Sequence, residues 1–198
     1  MIIGITGSSG CGKTTALNTL QQLGATILDC DAIYHRLLKE DNALLSAIGS
    51  RFPEAVKDGA LDRAALAATV FSDPAALEDL NKITHGAVVN EVKRQLASAP
   101  TLAAIDAYAL FESGLDRLCD ITVAITAPEE LRIARIVKRD GITPEKAKER
   151  ISAQRPQEEI SALCDYTLCN NGTQAEFEAK CLAFWGKLCY SNEKGESL

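Results

Sequence analysis

The chain has 198 residues, of which 46% are hydrophobic, and a formal net charge of −6. This length suits one compact domain, and the acidic balance argues against nucleic acid or an acidic membrane as a general partner. The seven cysteines are odd in number and irregularly spaced, no apolar run approaches the roughly 20 residues that cross a bilayer, and no signal peptide is recognisable. We therefore expect a soluble, cytoplasmic protein with reduced thiols.

The first predicted elements are a strand, a glycine-rich loop and a helix. The strand covers Ile2 to Thr6 and the helix covers Thr14 to Leu23. The loop between them, Gly7-Ser8-Ser9-Gly10-Cys11-Gly12-Lys13-Thr14, matches GxxxxGK[ST] in the context that this motif requires. Backbone N–H groups of such a loop surround an anion, and the start of the helix adds its positive dipole end. A simple turn between a strand and a helix has no reason to specify lysine followed by threonine.

The loop therefore predicts a site for ATP and Mg²⁺. We expect Lys13 to contact the β- and γ-phosphates and the Thr14 hydroxyl to bind Mg²⁺. We assign no chemistry to the Cys11 side chain. The predicted nucleotide contacts are Gly10, Cys11, Gly12, Lys13, Thr14 and Thr15.

Later segments alternate between apolar runs and helical patterns, which predicts an α/β fold with a parallel sheet. Besides Ile2 to Thr6, the predicted strands are Thr26 to Asp29, Leu102 to Asp106, Ile121 to Thr126 and Tyr166 to Cys169. The gap from Asp31 to Pro100 carries only helical signals, at Leu61 to Phe71, Pro74 to Ile83 and Val88 to Leu96, and so predicts a helical insertion. A second excursion, Glu129 to Gln157, is rich in Arg and Lys and predicts a helical lid.

Three carboxylates follow predicted strands, where ligands bind in open α/β sheets. Asp106 has the position of a Walker-B carboxylate that holds Mg²⁺, or alternatively of a helix cap. Asp31 could orient an acceptor hydroxyl and accept its proton, or simply cap the helix that begins there, and Asp29 precedes it. Arg139 in the lid could stabilise the transferring phosphoryl group, or lie on a solvated face.

Several motifs resemble the dephospho-CoA kinase family over most of the chain. ILDCDAIYHRL is similar to the family's DADxIAR motif, with Cys30 in place of the usual alanine. The block from Gly59-Ala60-Leu61-Asp62-Arg63 to Leu80-Asn81-Lys82-Ile83-Thr84-His85 resembles the family's G-x-L-D-R and L-N-x-I-T-H-P signatures, with Gly86 replacing the proline. Three further segments resemble parts of the family pattern: Arg135 to Gly141 in the lid, Ile151 to Gln154, and Cys164 to Gly172. Tyr108 stands where the family commonly has proline.

The resemblance implies a P-loop kinase fold and transfer of the ATP γ-phosphoryl group to the ribose 3′-hydroxyl of dephospho-CoA. It implies catalytic roles for Asp31, Lys13 and Arg139, acceptor binding by Asp31 and His85, and metal binding by Thr14 and Asp106. It also implies a nucleotide-binding core, residues 1–31 and 97–198 with a lid at about 129–157, and a helical acceptor-binding insertion, residues 32–96. A nucleoside monophosphate or sugar kinase and a non-catalytic ATP-dependent regulatory module are the alternatives.

Overall fold

The central feature is a sheet of five parallel strands, described from a computed structural model over residues 1–57, 59–98 and 101–194, with side chains to residue 190. The last four residues of the predicted core therefore lie outside the described residues. The strands are β1 (Ile2–Thr6), β2 (Thr26–Asp29), β3 (Val56–Lys57), β4 (Ala60–Leu61), β5 (Ala103–Asp106), β6 (Ile121–Thr126) and β7 (Tyr166–Cys169). The helices are α1 (Lys13–Gln22), α2 (Cys30–Glu40), α3 (Asn42–Arg51), α4 (Arg63–Ser72), α5 (Pro74–Leu96), α6 (Glu129–Asp140), α7 (Pro144–Ser152), α8 (Gln157–Leu163) and α9 (Gln174–Lys194).

The sheet has the strand order β2-β5-β1-β6-β7, and every neighbouring pair is parallel. The five strands predicted from the sequence are confirmed, and only β5 differs, because it begins one residue later than expected. Val123, Ala124 and Ile125 of β6 are fully buried, as continuous apolar runs predict for strands covered on both faces. Asp29 and Asp106 pair in register, so the carboxyl ends of β2 and β5 lie side by side.

One face of the sheet packs against α1 and α9. Trp185 of α9 is completely buried there, and its indole Nε1–H donates a hydrogen bond of 3.0 Å to the Thr19 hydroxyl of α1. Ile3, Ile5 and Leu168 belong to the same apolar cluster. This packing fixes the helix that follows the glycine-rich loop against the strand that precedes it.

The insertion contains α2 to α5 and differs from the sequence prediction in two respects. Instead of two helices, α5 is one helix of 23 residues that passes through Gly86, because an interior glycine costs only about 1 kcal/mol against the burial of Leu80, Val88 and Val92. The expectation of purely helical structure is also wrong, since β3 and β4 form a short antiparallel hairpin.

The predicted lid contains two helices, α6 and α7, and this helical structure agrees with the sequence prediction. Gly141 follows α6 with φ +65°, a conformation that ends the helix, and Thr143 caps α7 by accepting a hydrogen bond from the Lys146 N–H. Within the described residues, no helix combines the length and hydrophobicity that a membrane crossing would require.

Candidate active site

The glycine-rich loop connects β1 to α1 and needs glycine at two positions for steric reasons. Gly12 is the N-cap of α1 with φ +99°, and Gly10 has φ +79°. A Cβ at Gly12 would lie 2.2 Å from Nδ2 of Asn170, and one at Gly10 would lie 2.7 Å from the Arg132 carbonyl oxygen. Side chains at these positions are thus excluded both by backbone conformation and by the close approach of α6 and of Asn170, which follows β7.

Three consecutive carbonyl groups of the loop are bound by side chains from outside it. Arg132 Nε donates to the Ser9 oxygen at 3.0 Å, Arg135 Nη1 to the Gly10 oxygen at 3.3 Å, and Asn170 Nδ2 to the Cys11 oxygen at 2.9 Å.

Two of these side chains also bind each other, since Arg135 Nη2 donates to Asn170 Oδ1 at 2.9 Å. The hydrogen bonds to the loop pair its carbonyl oxygens with donors outside the loop. These oxygens are the negative ends of the peptide dipoles and would otherwise repel a bound phosphate.

The loop surrounds a cavity of about 490 Å³ lined by Gly7 to Thr14, Asp31, Tyr108, Arg135, Arg139 and Gln154. Of the predicted nucleotide contacts, Gly10, Cys11, Gly12, Lys13 and Thr14 line this cavity and Thr15 does not. The Thr15 N–H donates to the Gly12 oxygen at 3.0 Å, and the Cys11 N–H donates to the Ser8 oxygen at 3.2 Å. The structure therefore brings five of the six predicted residues together around one space.

Lys13 lines the cavity and forms a close ion pair with Asp106, with 2.6 Å between Nζ and Oδ1. Burial raises the pKa of Asp106 above its usual range, and the Lys13 ammonium acts in the opposite direction. The alternative interpretation of Asp106 as a helix cap does not hold, because the next helical turn after β5 begins only at Leu115.

Asp29 and Asp31 have different positions at the start of α2. Asp29 is the N-cap, since its Oδ1 accepts a hydrogen bond of 2.9 Å from the Ala32 N–H. The capping alternative considered for Asp31 is therefore wrong. Asp31 lies in the first turn of the helix and lines the phosphate cavity.

Arg139 lines the same cavity from the lid, and a neighbouring carboxylate already binds it. Its Nε and Nη2 donate to the two oxygens of Asp140 at 2.7 and 2.9 Å, and Arg150 of α7 pairs with the same carboxylate. Hydrogen bonds from Arg139 and Arg150 lower the pKa of Asp140 to about 2. The lid thus holds Arg139 at the cavity through a charge network of its own.

A second cavity of about 220 Å³ adjoins the first and is lined from α2, α5 and the segment after β5. Asp31 and Tyr108 belong to the walls of both cavities. His85 of α5 lines the second cavity, where burial lowers its pKa and interactions with the Glu112 backbone and carboxylate oppose that effect. The two cavities therefore meet at a carboxylate, as transfer between two bound molecules requires.

The residues predicted to bind Mg²⁺ offer a carboxylate and a hydroxyl, which are hard oxygen ligands. Thr14 lines the phosphate cavity, and Asp106 lies at the carboxyl end of β5 but is not among the residues that line this cavity. Among the side chains of residues 1–57, 59–98 and 101–190, no group of three His, Cys, Asp or Glu could hold a metal ion. This donor set suits Mg²⁺, which protein sites commonly hold through one or two side chains together with water and substrate phosphates.

Sequence reasoning missed the roles of Asn170, Arg132, Gln154 and Tyr108. Gln154 Oε1 accepts a hydrogen bond of 2.9 Å from the Ser9 N–H, so the end of the lid touches the phosphate loop. The contacts of Arg132, Gln154 and Asn170 with the loop join residues more than 100 positions apart. The family resemblance marks Tyr108 and the segments that contain Gln154 and Asn170, but it assigns them no contact. A second available signal was the general need of a buried loop for partners to its backbone groups.

Comparison with known proteins agrees with this geometry. The family model described as dephospho-CoA kinase matches residues 1–176. A dephospho-CoA kinase from Syntrophotalea carbinolica is 34% identical over 194 residues, which cover 95% of this chain and 92% of that protein.

Two solved structures extend the agreement to the fold, which is the P-loop kinase fold. A Thermus thermophilus protein is 34% identical to this chain with a TM-score of 0.78, and the matched region covers 95% of this chain and 97% of that protein. A dephospho-CoA kinase from Campylobacter jejuni is 27% identical to this chain with a TM-score of 0.70, and the matched region covers 96% of this chain and 98% of that protein.

Proposed function

Because the chain belongs to the dephospho-CoA kinase family, we propose that it transfers the γ-phosphoryl group of ATP to the ribose 3′-hydroxyl of dephospho-CoA, the last step of coenzyme A biosynthesis. The observation that carries the proposal is the shared wall of the two cavities. The phosphate loop surrounds one, the insertion contributes to the other, and Asp31 lies between them.

In this reaction Asp31 orients the acceptor hydroxyl and accepts its proton. The hydroxyl oxygen forms a bond to the γ-phosphorus while the bond from that phosphorus to the β–γ bridging oxygen breaks, and ADP leaves. Asp31 is placed for this role because it lines both cavities and because Asp29, not Asp31, caps α2.

Cations from the loop and the lid stabilise the charge on the transferring group. Lys13 projects from the start of α1, and Arg139 reaches the cavity from α6. Thr14 and Asp106 would hold Mg²⁺, which neutralises phosphate charge when it is bound. ATP is the donor in this proposal, and the backbone N–H groups of the loop receive its phosphates.

The division of the chain follows the same plan. Residues 1–31 and 97–198 form the nucleotide-binding core, with the lid at about 129–157, and residues 32–96 form the acceptor-binding insertion. The second cavity supports this division, because Asn81, Thr84 and His85 of α5 line it opposite the segment that follows β5. A cytoplasmic location is part of the proposal.

ADP release from Mg-ATP tests the proposal when dephospho-CoA, AMP and gluconate are offered as separate acceptors. We expect stimulation by dephospho-CoA alone, with one coenzyme A formed for each ADP. Stimulation by AMP or gluconate instead would identify another small-molecule kinase. ATP binding without acceptor-dependent turnover would identify a regulatory module.

A further inference from the structure

Tyr108 follows β5 and is fixed at the junction of the two cavities. The Thr6 hydroxyl donates a hydrogen bond of 3.2 Å to its carbonyl oxygen, which ties it to the end of β1. The residue is 38% exposed and lines both the phosphate cavity and the second cavity. Molecules bound in either cavity would therefore meet the same tyrosine.

The Tyr108 hydroxyl also reaches the end of the lid. It accepts a hydrogen bond of 3.1 Å from the Arg155 N–H, and the Arg155 guanidinium pairs with Glu112 Oε1 at 2.8 Å. Arg155 is thus bound twice to the segment after β5, once through its backbone and once through its side chain. The two contacts of Arg155 therefore anchor the end of the lid to the wall of the acceptor cavity.

The residue before this anchor contacts the phosphate loop. Gln154 accepts the hydrogen bond from the Ser9 N–H, and Gln154 and Arg155 follow Ala153, the C-cap of α7 in the lid. Two consecutive residues therefore connect the lid to both halves of the site. A shift of Tyr108 would displace Arg155, and through the peptide bond it would also displace Gln154 over the phosphate loop.

We infer that Tyr108 is a positioning residue that couples occupation of the acceptor cavity to the seating of the lid over the phosphates. The inference rests on the proposed function, since the acceptor is taken to be dephospho-CoA. An acceptor against the ring holds the tyrosine in place, the hydroxyl then holds Arg155, and Gln154 stays on the Ser9 N–H. A seated lid excludes water, which competes with the acceptor for the phosphoryl group.

The substitution Tyr108→Phe isolates the hydroxyl, because it keeps the ring in both cavity walls. Loss of one neutral hydrogen bond predicts a decrease in kcat of about 2- to 10-fold. The KM for dephospho-CoA should change less than kcat, and the ratio of ADP to coenzyme A formed should rise above the wild-type value. Amide hydrogen exchange at Arg155 should become faster.

Tyr166→Phe is the matched control, since it removes a tyrosine hydroxyl from β7, where the ring packs edge-on against Phe184. Thermal unfolding of both variants separates a loss of stability from a loss of coupling. Equal kcat and equal ADP to coenzyme A ratio in Tyr108→Phe and wild type would overturn the inference, even if exchange at Arg155 were faster. Absence of dephospho-CoA-dependent turnover in the wild type would overturn the proposed function instead.

Discussion

The Lys13 ammonium lies 2.6 Å from the Asp106 carboxylate, so the cation of the phosphate loop is already paired with a carboxylate from the adjacent strand β5. Both side chains are less than one quarter exposed, which restricts the lysine to one region of the site. In the proposed reaction, the oxygens of a bound triphosphate would compete with Asp106 for Lys13, and the carboxylate would then be available to Mg²⁺. In the proposed site, the ion pair would thus hold Lys13 in position for a phosphate and Asp106 in position for Mg²⁺.

Loss of the lysine should therefore affect the donor side of the reaction. In Lys13→Ala we expect kcat/KM for ATP to fall by about 10²- to 10³-fold, because one preorganised cation is lost from the transferring phosphoryl group. Steady-state kinetics with varied ATP measure this effect. An unchanged kcat/KM would contradict the assignment of the loop as a triphosphate site.

Asp106→Asn tests the other member of the pair. The amide keeps the size of the side chain but loses the negative charge, so we expect the Mg²⁺ concentration for half-maximal activity to rise and kcat to fall at least 10-fold. The KM for dephospho-CoA should stay close to that of the wild type. A normal Mg²⁺ dependence in this variant would remove Asp106 from the metal site.

Asp31→Asn should separate chemistry from binding. We expect kcat to fall by about 10²-fold or more, since the geometry survives while the proton acceptor does not. The Kd for ATP, measured by calorimetry, should remain near the wild-type value. Near-normal turnover would exclude Asp31 as the base.

A charge control for this variant is available two residues away. Asp29→Asn also removes one carboxylate, and asparagine caps a helix about as well as aspartate does. Its loss of kcat should therefore be much smaller than that of Asp31→Asn. Equal losses in both variants would assign the effect to the local electric field rather than to proton transfer.

Asn170 tests the hydrogen bonds that bind the carbonyl groups of the glycine-rich loop from outside it. Asn170→Asp is the same size and keeps an oxygen for Arg135, but it loses the donor to the Cys11 carbonyl oxygen. We expect a rise in KM for ATP, little change in KM for dephospho-CoA, and a loss of about 1–3 kcal/mol in the free energy of unfolding, because a buried acceptor is left unpaired. Kinetics with each substrate and denaturant titration measure these effects, and a change in KM for dephospho-CoA alone would contradict the prediction.

The sequence predicts the sheet of this protein better than its insertion. Buried parallel strands are continuous apolar runs, so Ile121 to Thr126 is recognisable without any partner. By contrast, the hairpin of β3 and β4 has only two residues in each strand and lies below what periodicity can detect. The single helix α5 depends on burial of its apolar side chains, and no local signal at Gly86 reveals that burial.

The site divides in the same way. Lys13, Asp31 and Asp106 follow from motif and strand position, since the ends of parallel strands meet at one edge. Tyr108 and Asn170 act through contacts with distant segments, Arg155 and Cys11 respectively. Such contacts are set by the folded chain, and so they become visible only in three dimensions.

His85 gives a prediction about pH. Burial lowers its pKa below the usual value near 6.5, so the folded protein holds fewer protons on this residue than the unfolded chain does as pH falls through that value. Its contribution to stability is therefore fully present above about pH 6.5 and decreases as pH falls from there towards the folded pKa. The ionisable groups near His85 are the Glu112 carboxylate, which interacts with it, and Asp31, which lines the same cavity.

A series of unfolding measurements between pH 5 and pH 8 tests this, with His85→Gln as the variant that cannot titrate and His35→Gln as the control. His35 lies on α2 and stacks against Tyr34 at 5.6 Å between ring centroids. We expect the free energy of unfolding to fall more steeply with decreasing pH in the wild type and in His35→Gln than in His85→Gln. If His85 touches the acceptor in its neutral form, the KM for dephospho-CoA should also rise as the pH decreases in the wild type and stay flatter in His85→Gln. Parallel unfolding curves for all three proteins would show that folding does not lower the pKa of His85. An equal pH dependence of the KM in the wild type and His85→Gln would leave acceptor binding to the other residues of the cavity.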